Sequence, residues 1–231
     1  MVGERADAGD VYRSVRAVFC ALVRRCPAAD LAREVPASPR WTVHDVIAHV
    51  VGLVADLNAA RFPTDGAGDA WTAQQVESRR SRTRDELCAE WEREAPAFEA
   101  GLRLFGYETG CHFVADLVVH LHDVQEALGE EPSKDPVVLA VALDHYCGFL
   151  TEAMGNRGTV CVRAGTDEWL VGAGPTLAEV DAPAYDLLRC LSARRSRREM
   201  EALPWRGEAG VFLDGFEAAL PGSYSLPASP Q

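Results

Sequence analysis

Apolar residues recur at helical spacing from about residue 10 to 155, and short, turn-bounded β-branched runs follow. Val11, Val15, Phe19 and Leu22 predict a first helix over 10–25. Residues 27–40 carry prolines and read as irregular. Thr42 and Asp45 have the spacing of a capping box and open a second helix, whose apolar face is Val43, Val46, Ile47, Val50, Val54 and Leu57. A glycine-bearing loop over 62–70 and a short helix over 71–80 come next. Thr83 and Glu86 form another capping box, starting a long helix to about Phe105 that Pro96 should kink. After a loop over 106–110, the stretch 111–129 predicts a helix with Phe113, Leu117, Leu121, Val124 and Leu128 as its apolar stripe and Gly129 as its stop. Asp135 and Pro136 start a further helix over 137–154.

Beyond Gly155 the pattern predicts strands over 159–163, 168–171 and 178–181, then helices over 183–194 and 209–220. The expected class is α+β. A helical bundle over 1–155 is followed by a small α/β domain over 156–221 and a Ser/Pro/Gly-rich, disordered tail over 222–231.

The helix over 111–129 also carries polar residues on one stripe. Asp116 and His120 stand one turn apart, so both can point at one ion. His49, at the border of the second helix's apolar face, is the third candidate ligand. Three protein ligands with a fourth position open is the pattern of catalytic zinc. The same spacing is also met by helix histidines that only hydrogen-bond, with no ion. Asp45, one turn before His49, and Asp123, after His120, are placed to orient the two rings. His112 lies one turn before Asp116 and could replace it or support it. His122 should face away as a polar rim residue, His44 should be exposed, and His145 has no evident partner.

Charge and cysteines narrow the function. A net charge of −12 argues against nucleic acid and anionic membrane as partners. Residues 1–10 are polar and acidic, unlike a signal peptide, and the apolar run over 46–54 is too short for a bilayer, so a soluble, cytoplasmic protein is expected. Seven scattered cysteines without a CxxC pair predict buried thiols rather than disulfides or a zinc finger. Cys111, near the ligand stripe, is better read as structural than as a nucleophile. Arg194, Arg195, Arg197 and Arg198 could contact an anion, as could Arg206, but a solvated helix end explains the cluster as well.

The motif Trp41-Thr42-Val43-x-Asp45-Val46-x-x-His49, followed by Asp116-x-x-x-His120-x-x-Asp123 and Ala127-x-Gly129, resembles the mycothiol-dependent maleylpyruvate isomerase family of the DinB-like superfamily. The resemblance covers most of the chain. It implies a DinB-like four-helix bundle with a small C-terminal α/β domain, and a divalent metal, zinc first and nickel second, on His49, Asp116 and His120. The family pattern has glutamate where this chain has Asp116. The shorter side chain requires the ion to sit nearer the helix, or a bridging water. The resemblance further implies mycothiol as cosubstrate and an electrophilic small molecule as substrate, with cis–trans isomerisation or S-transfer as the reaction. A hydrolase or lyase using metal-activated water, and a non-catalytic binding protein on the same bundle, are the competing readings.

Overall fold

The computed structural model describes residues 5–64 and 68–220, so the tail expected over 222–231 lies outside the described residues. The chain divides into two compact units, one ending at Ser133 and the other beginning at Lys134.

The first unit is a bundle of α1 (Ala8–Arg25), α2 (Val43–Asn58), α4 (Arg84–Phe105) and α5 (Tyr107–Leu128), with the shorter α3 (Gly68–Glu77) laid on α2. Both expected capping boxes are formed, Thr42 with Asp45 and Thr83 with Glu86, which fixes where α2 and α4 begin. Phe19, Leu87, Trp91, Leu117 and Leu121 are buried at the centre, and Phe19 meets Trp91 edge to face at 5.6 Å. Each such side chain contributes about 1.5–3 kcal/mol by leaving water. Pro96 lies within α4, which continues past it to Phe105. The loop expected over 106–110 reduces to Gly106, whose φ of +86° turns the chain directly into α5. Gly129 stops α5 in the left-handed conformation, as its place in the sequence predicted.

Residues 27–40 are more ordered than expected. A 3-10 turn over Ala28–Ala32 leads into a two-stranded hairpin of β1 (Glu34–Val35) and β2 (Ser38–Thr42). The prolines concealed it, because Pro36 lies in the turn and Pro39 in a strand with only one paired edge. The hairpin delivers Trp41 to the start of α2.

The second unit contains α6 (Pro136–Met154), β3 (Gly158–Ala164), β4 (Asp167–Ala173), β5 (Thr176–Asp181), α7 (Ala184–Leu191), α8 (Arg197–Glu201), β6 (Trp205–Gly207) and α9 (Ala209–Ala219). The sheet order is β4-β3-β5-β6; β3 and β5 are parallel and the other pairs antiparallel. Neither α8 nor β6 is visible in the pattern, being five and three residues long. α6 packs against β4, α7 and α9, so it belongs with the sheet, and the division falls before it rather than near residue 155. Its apolar face reads equally well as bundle helix or sheet cover. The stretch Pro136–Arg157 is apolar enough by length and composition to cross a membrane, with mean hydropathy 1.3, but α6 buries Leu143, Leu150 and Met154 as a core helix.

Candidate metal centre

His49 from α2 and Asp116 and His120 from α5 converge in the first unit, each offering a ligand atom, all within 4.8 Å of one another. Both rings are 7 % exposed, while the Asp116 side chain is 29 % exposed, so the cluster opens to solvent on the aspartate side. His120 Nε2 lies 3.6 Å from Asp116 Oδ1. Tetrahedral ligands at about 2.1 Å from zinc stand roughly 3.4 Å apart, close to this separation.

The back nitrogen of the His49 ring is engaged as a metal ligand requires, and that of His120 faces a carboxylate without a hydrogen bond to it. His49 Nδ1 is 2.9 Å from Oε1 of Gln75 on α3. Gln75 Nε2 donates to Asp56 Oδ2 at 3.3 Å. Because a carboxylate only accepts, this bond fixes the amide orientation. Gln75 Oε1 therefore accepts from His49 Nδ1–H, and His49 Nε2 keeps its lone pair. Burial, with His120 beside it, pushes the His49 pKa down to about 4, so the ring is neutral.

His120 Nδ1 faces Oδ2 of the wholly buried Asp123 at 3.5 Å, and makes no hydrogen bond among the described residues. Burial opposes charge on this ring, but Asp116 and Asp123 outweigh it and raise the pKa to about 9. Burial likewise opposes charge on Asp116, yet His120, then His49 and His112, hold that carboxyl below the usual carboxylate range. Metal-free, the cluster is thus an imidazolium between two carboxylates, beside a neutral imidazole. Replacing the Nε2 proton of His120 by a cation keeps that charge pattern, so the donor set fits a divalent ion.

Trp41 covers the histidines. Its ring lies 5.1 Å from His49 and 6.1 Å from His120, nearly parallel to the latter at 27°.

Asp45 does not orient His49: its Oδ2 accepts from the Thr42 amide at 2.9 Å and hydroxyl at 2.8 Å, as the α2 cap. Gln75 takes that place, and sequence reasoning missed it because nothing in the local pattern links α3 to His49. His112 is exposed, edge-on to Phe113, and outside the convergent group. His122 is not a rim residue; it is fully buried, with Nε2 2.7 Å from the Ser133 carbonyl. The seven cysteines are free and buried, as expected, and Cys111 Sγ donates to the Glu108 carbonyl at 3.2 Å.

The chain combines a helical bundle holding a candidate metal cluster with a small α/β unit. Residues 12–112 match the family described as mycothiol maleylpyruvate isomerase N-terminal domain. The match includes His49 and stops short of Asp116 and His120. Two crystal structures share the fold, mycothiol-dependent maleylpyruvate isomerase and a histidine-to-alanine mutant of it, at 13 % and 12 % identity. Each gives a TM-score of 0.59 and covers 87 % of this chain and 92 % of the other. No curated protein matches the chain.

Proposed function

We propose that this chain is a metal-dependent enzyme that uses mycothiol to attack an electrophilic small molecule, as an S-transferase or a cis–trans isomerase. The observation that carries the metal is the convergence of His49, Asp116 and His120 with each histidine's back nitrogen turned to a polar partner. The thiol and the reaction class are supported by the domain family and by the names of the two fold neighbours.

His49, Asp116 and His120 would hold the ion. A bound divalent cation lowers the pKa of a nearby thiol and so supplies a nucleophile near neutral pH. The protein then needs no nucleophile of its own, consistent with seven buried cysteines. Gln75 holds His49 in the tautomer that offers Nε2, and the Asp123 carboxylate faces the other nitrogen of His120 at 3.5 Å. Trp41 shields both rings from water, leaving approach along the Asp116 side.

The test is metal content of tag-free protein, wild type beside His120→Ala, with turnover of an electrophile measured with and without added mycothiol. About one equivalent of zinc in the wild type, lost in the variant, and thiol-dependent turnover are expected. Absence of metal from both, even after incubation with zinc or nickel, overturns the reading.

A further inference from the structure

The back of the His49 ring meets an amide, that of buried Gln75, where a metal-ligating histidine often meets a carboxylate. A carboxylate stands on the far side of that amide. Asp56 lies seven residues after His49, on the same face of α2 and two turns further on. About 10 Å of helix separates them, too far for direct contact. Gln75 spans the gap from α3, with Oε1 2.9 Å from His49 Nδ1 and Nε2 donating to Asp56 Oδ2 at 3.3 Å. Gly52 lies between the two on that face and lacks the Cβ that would stand 2.7 Å from the Gln75 Cβ.

The other oxygen of Asp56 is held by the turn that ends α2. Ala60 takes a left-handed φ of +53°, and the Arg61 amide returns to donate to the Asp56 carbonyl at 2.8 Å. This lays the Arg61 guanidinium on Asp56, where Nε and a terminal nitrogen both donate to Oδ1, at 2.9 and 2.7 Å. One carboxylate oxygen thus accepts from Arg61 and the other from Gln75. Each bond in the run Arg61–Asp56–Gln75–His49 has a single allowed direction, because a guanidinium only donates, a carboxylate only accepts, and an amide does one at each end. The His49 proton falls on Nδ1 and the lone pair on Nε2, set from a carboxylate that does not touch the ring.

We propose that Asp56 is a positioning residue of the candidate metal centre: through Gln75 it decides which nitrogen of His49 carries the proton, and so whether Nε2 can bind a cation. The bearing on metal rests on the reading above, whereas the choice of tautomer is a property of the metal-free chain. A purely structural ion pair between Asp56 and Arg61 would contribute only stability. The two roles part in Asp56→Asn. Arg61 still requires an oxygen, so the new amide turns its nitrogen to Gln75. Gln75 must then turn over and offer its own NH2 to His49, whose Nδ1 has to accept and whose proton moves to Nε2. Exchanging the two groups, Asp56→Asn together with Gln75→Glu, puts an acceptor behind His49 again and should undo the reversal.

Metal-free protein carrying nitrogen-15 histidine is compared by NMR at neutral pH, with the His49 signals identified by their loss in His49→Ala. Zinc affinity is measured beside it by competition with a chelator. Wild type should show Nδ1 protonated and Nε2 bare. Asp56→Asn should show the reverse and bind zinc about 10–100-fold more weakly, and the exchanged pair should regain most of that affinity. Nδ1 still protonated in a folded Asp56→Asn protein, an affinity loss with no change of tautomer, or an exchanged pair that folds and stays weak overturns the proposal. If Asp56→Asn does not fold, Asp56→Ala decides: with its anchor gone the amide can take either orientation and the proton should divide between the two nitrogens, so Nδ1 alone overturns the proposal. A wild type that binds no zinc overturns the metal reading, and the tautomers then decide whether Asp56 sets the His49 proton.

Discussion

His49 Nδ1 and Gln75 Oε1 are 2.9 Å apart, a buried side-chain bond that joins α2 to α3. Its partner fixed, His49 can present only Nε2 to the cluster. Gln75→Leu keeps the volume and removes the acceptor, so zinc affinity should fall about 10–100-fold, the usual cost of losing such a support. Competition against a chelator of known affinity measures this, and unchanged affinity would show that the bond does not orient the ligand.

The closeness of α3 to α2 depends on Gly52, one turn after His49. A Cβ there would stand 2.7 Å from the Gln75 Cβ and 3.0 Å from an Arg79 terminal nitrogen. Gly52→Val should push α3 away and destabilise the fold by about 1–3 kcal/mol, as overpacking does. It should also reproduce the zinc-affinity loss of Gln75→Leu, because both break the same bond. Combining the two should cost no further affinity. Urea unfolding and zinc titration of the single and double variants check both parts.

The helices were legible because their starts and stops are chemical. Thr42, Thr83, Asp135 and Gly129 each satisfy backbone groups in a way the sequence announces. His49, Asp116 and His120 were legible because two lie one turn apart and the third borders an apolar face. Gln75 was not, since its meeting with His49 requires α3 to fold back over Gly52, a tertiary event with no local mark. Asp45 was misread because one carboxylate can serve a cap or a ring, and the cap is nearer in sequence. The place of α6 was hidden because an apolar helical face does not say whether it meets helices or a sheet.

The proton on His120 competes with any metal. Its pKa of about 9 means the metal-free ring is charged at pH 7, so binding must displace that proton. Zinc affinity should rise about tenfold per pH unit between pH 7 and 8 and level off above about 9. Isothermal titration in buffers of different ionisation enthalpy should show close to one proton released per ion. In the metal-free protein the sign for stability is opposite. A pKa raised above the usual 6.5 stabilises the fold fully below pH 6.5, and that contribution is lost as pH rises through about 9. His49, depressed to about 4, withdraws stability as pH falls from 6.5 towards 4. Metal-free protein should therefore be most stable near pH 6.5 as far as these two groups decide, which urea midpoints across pH 4–10 would test.

Glu90 is the hinge of the arginine cluster. It is 5 % exposed and accepts three hydrogen bonds from Arg79 and Arg82. Removing one partner of a buried pair leaves an uncompensated charge, at a cost of about 3–5 kcal/mol. Glu90→Ala strips the carboxylate from both guanidiniums at once, and Arg79, 6 % exposed, cannot recover water without moving α3. Arg82→Gln should be mild by contrast, within about 1 kcal/mol, because that side chain is 43 % exposed and Arg79 still neutralises Glu90. Unfolding in urea should therefore single out Glu90→Ala. A Glu90→Ala protein as stable as wild type would mean that the guanidiniums find other counter-charges.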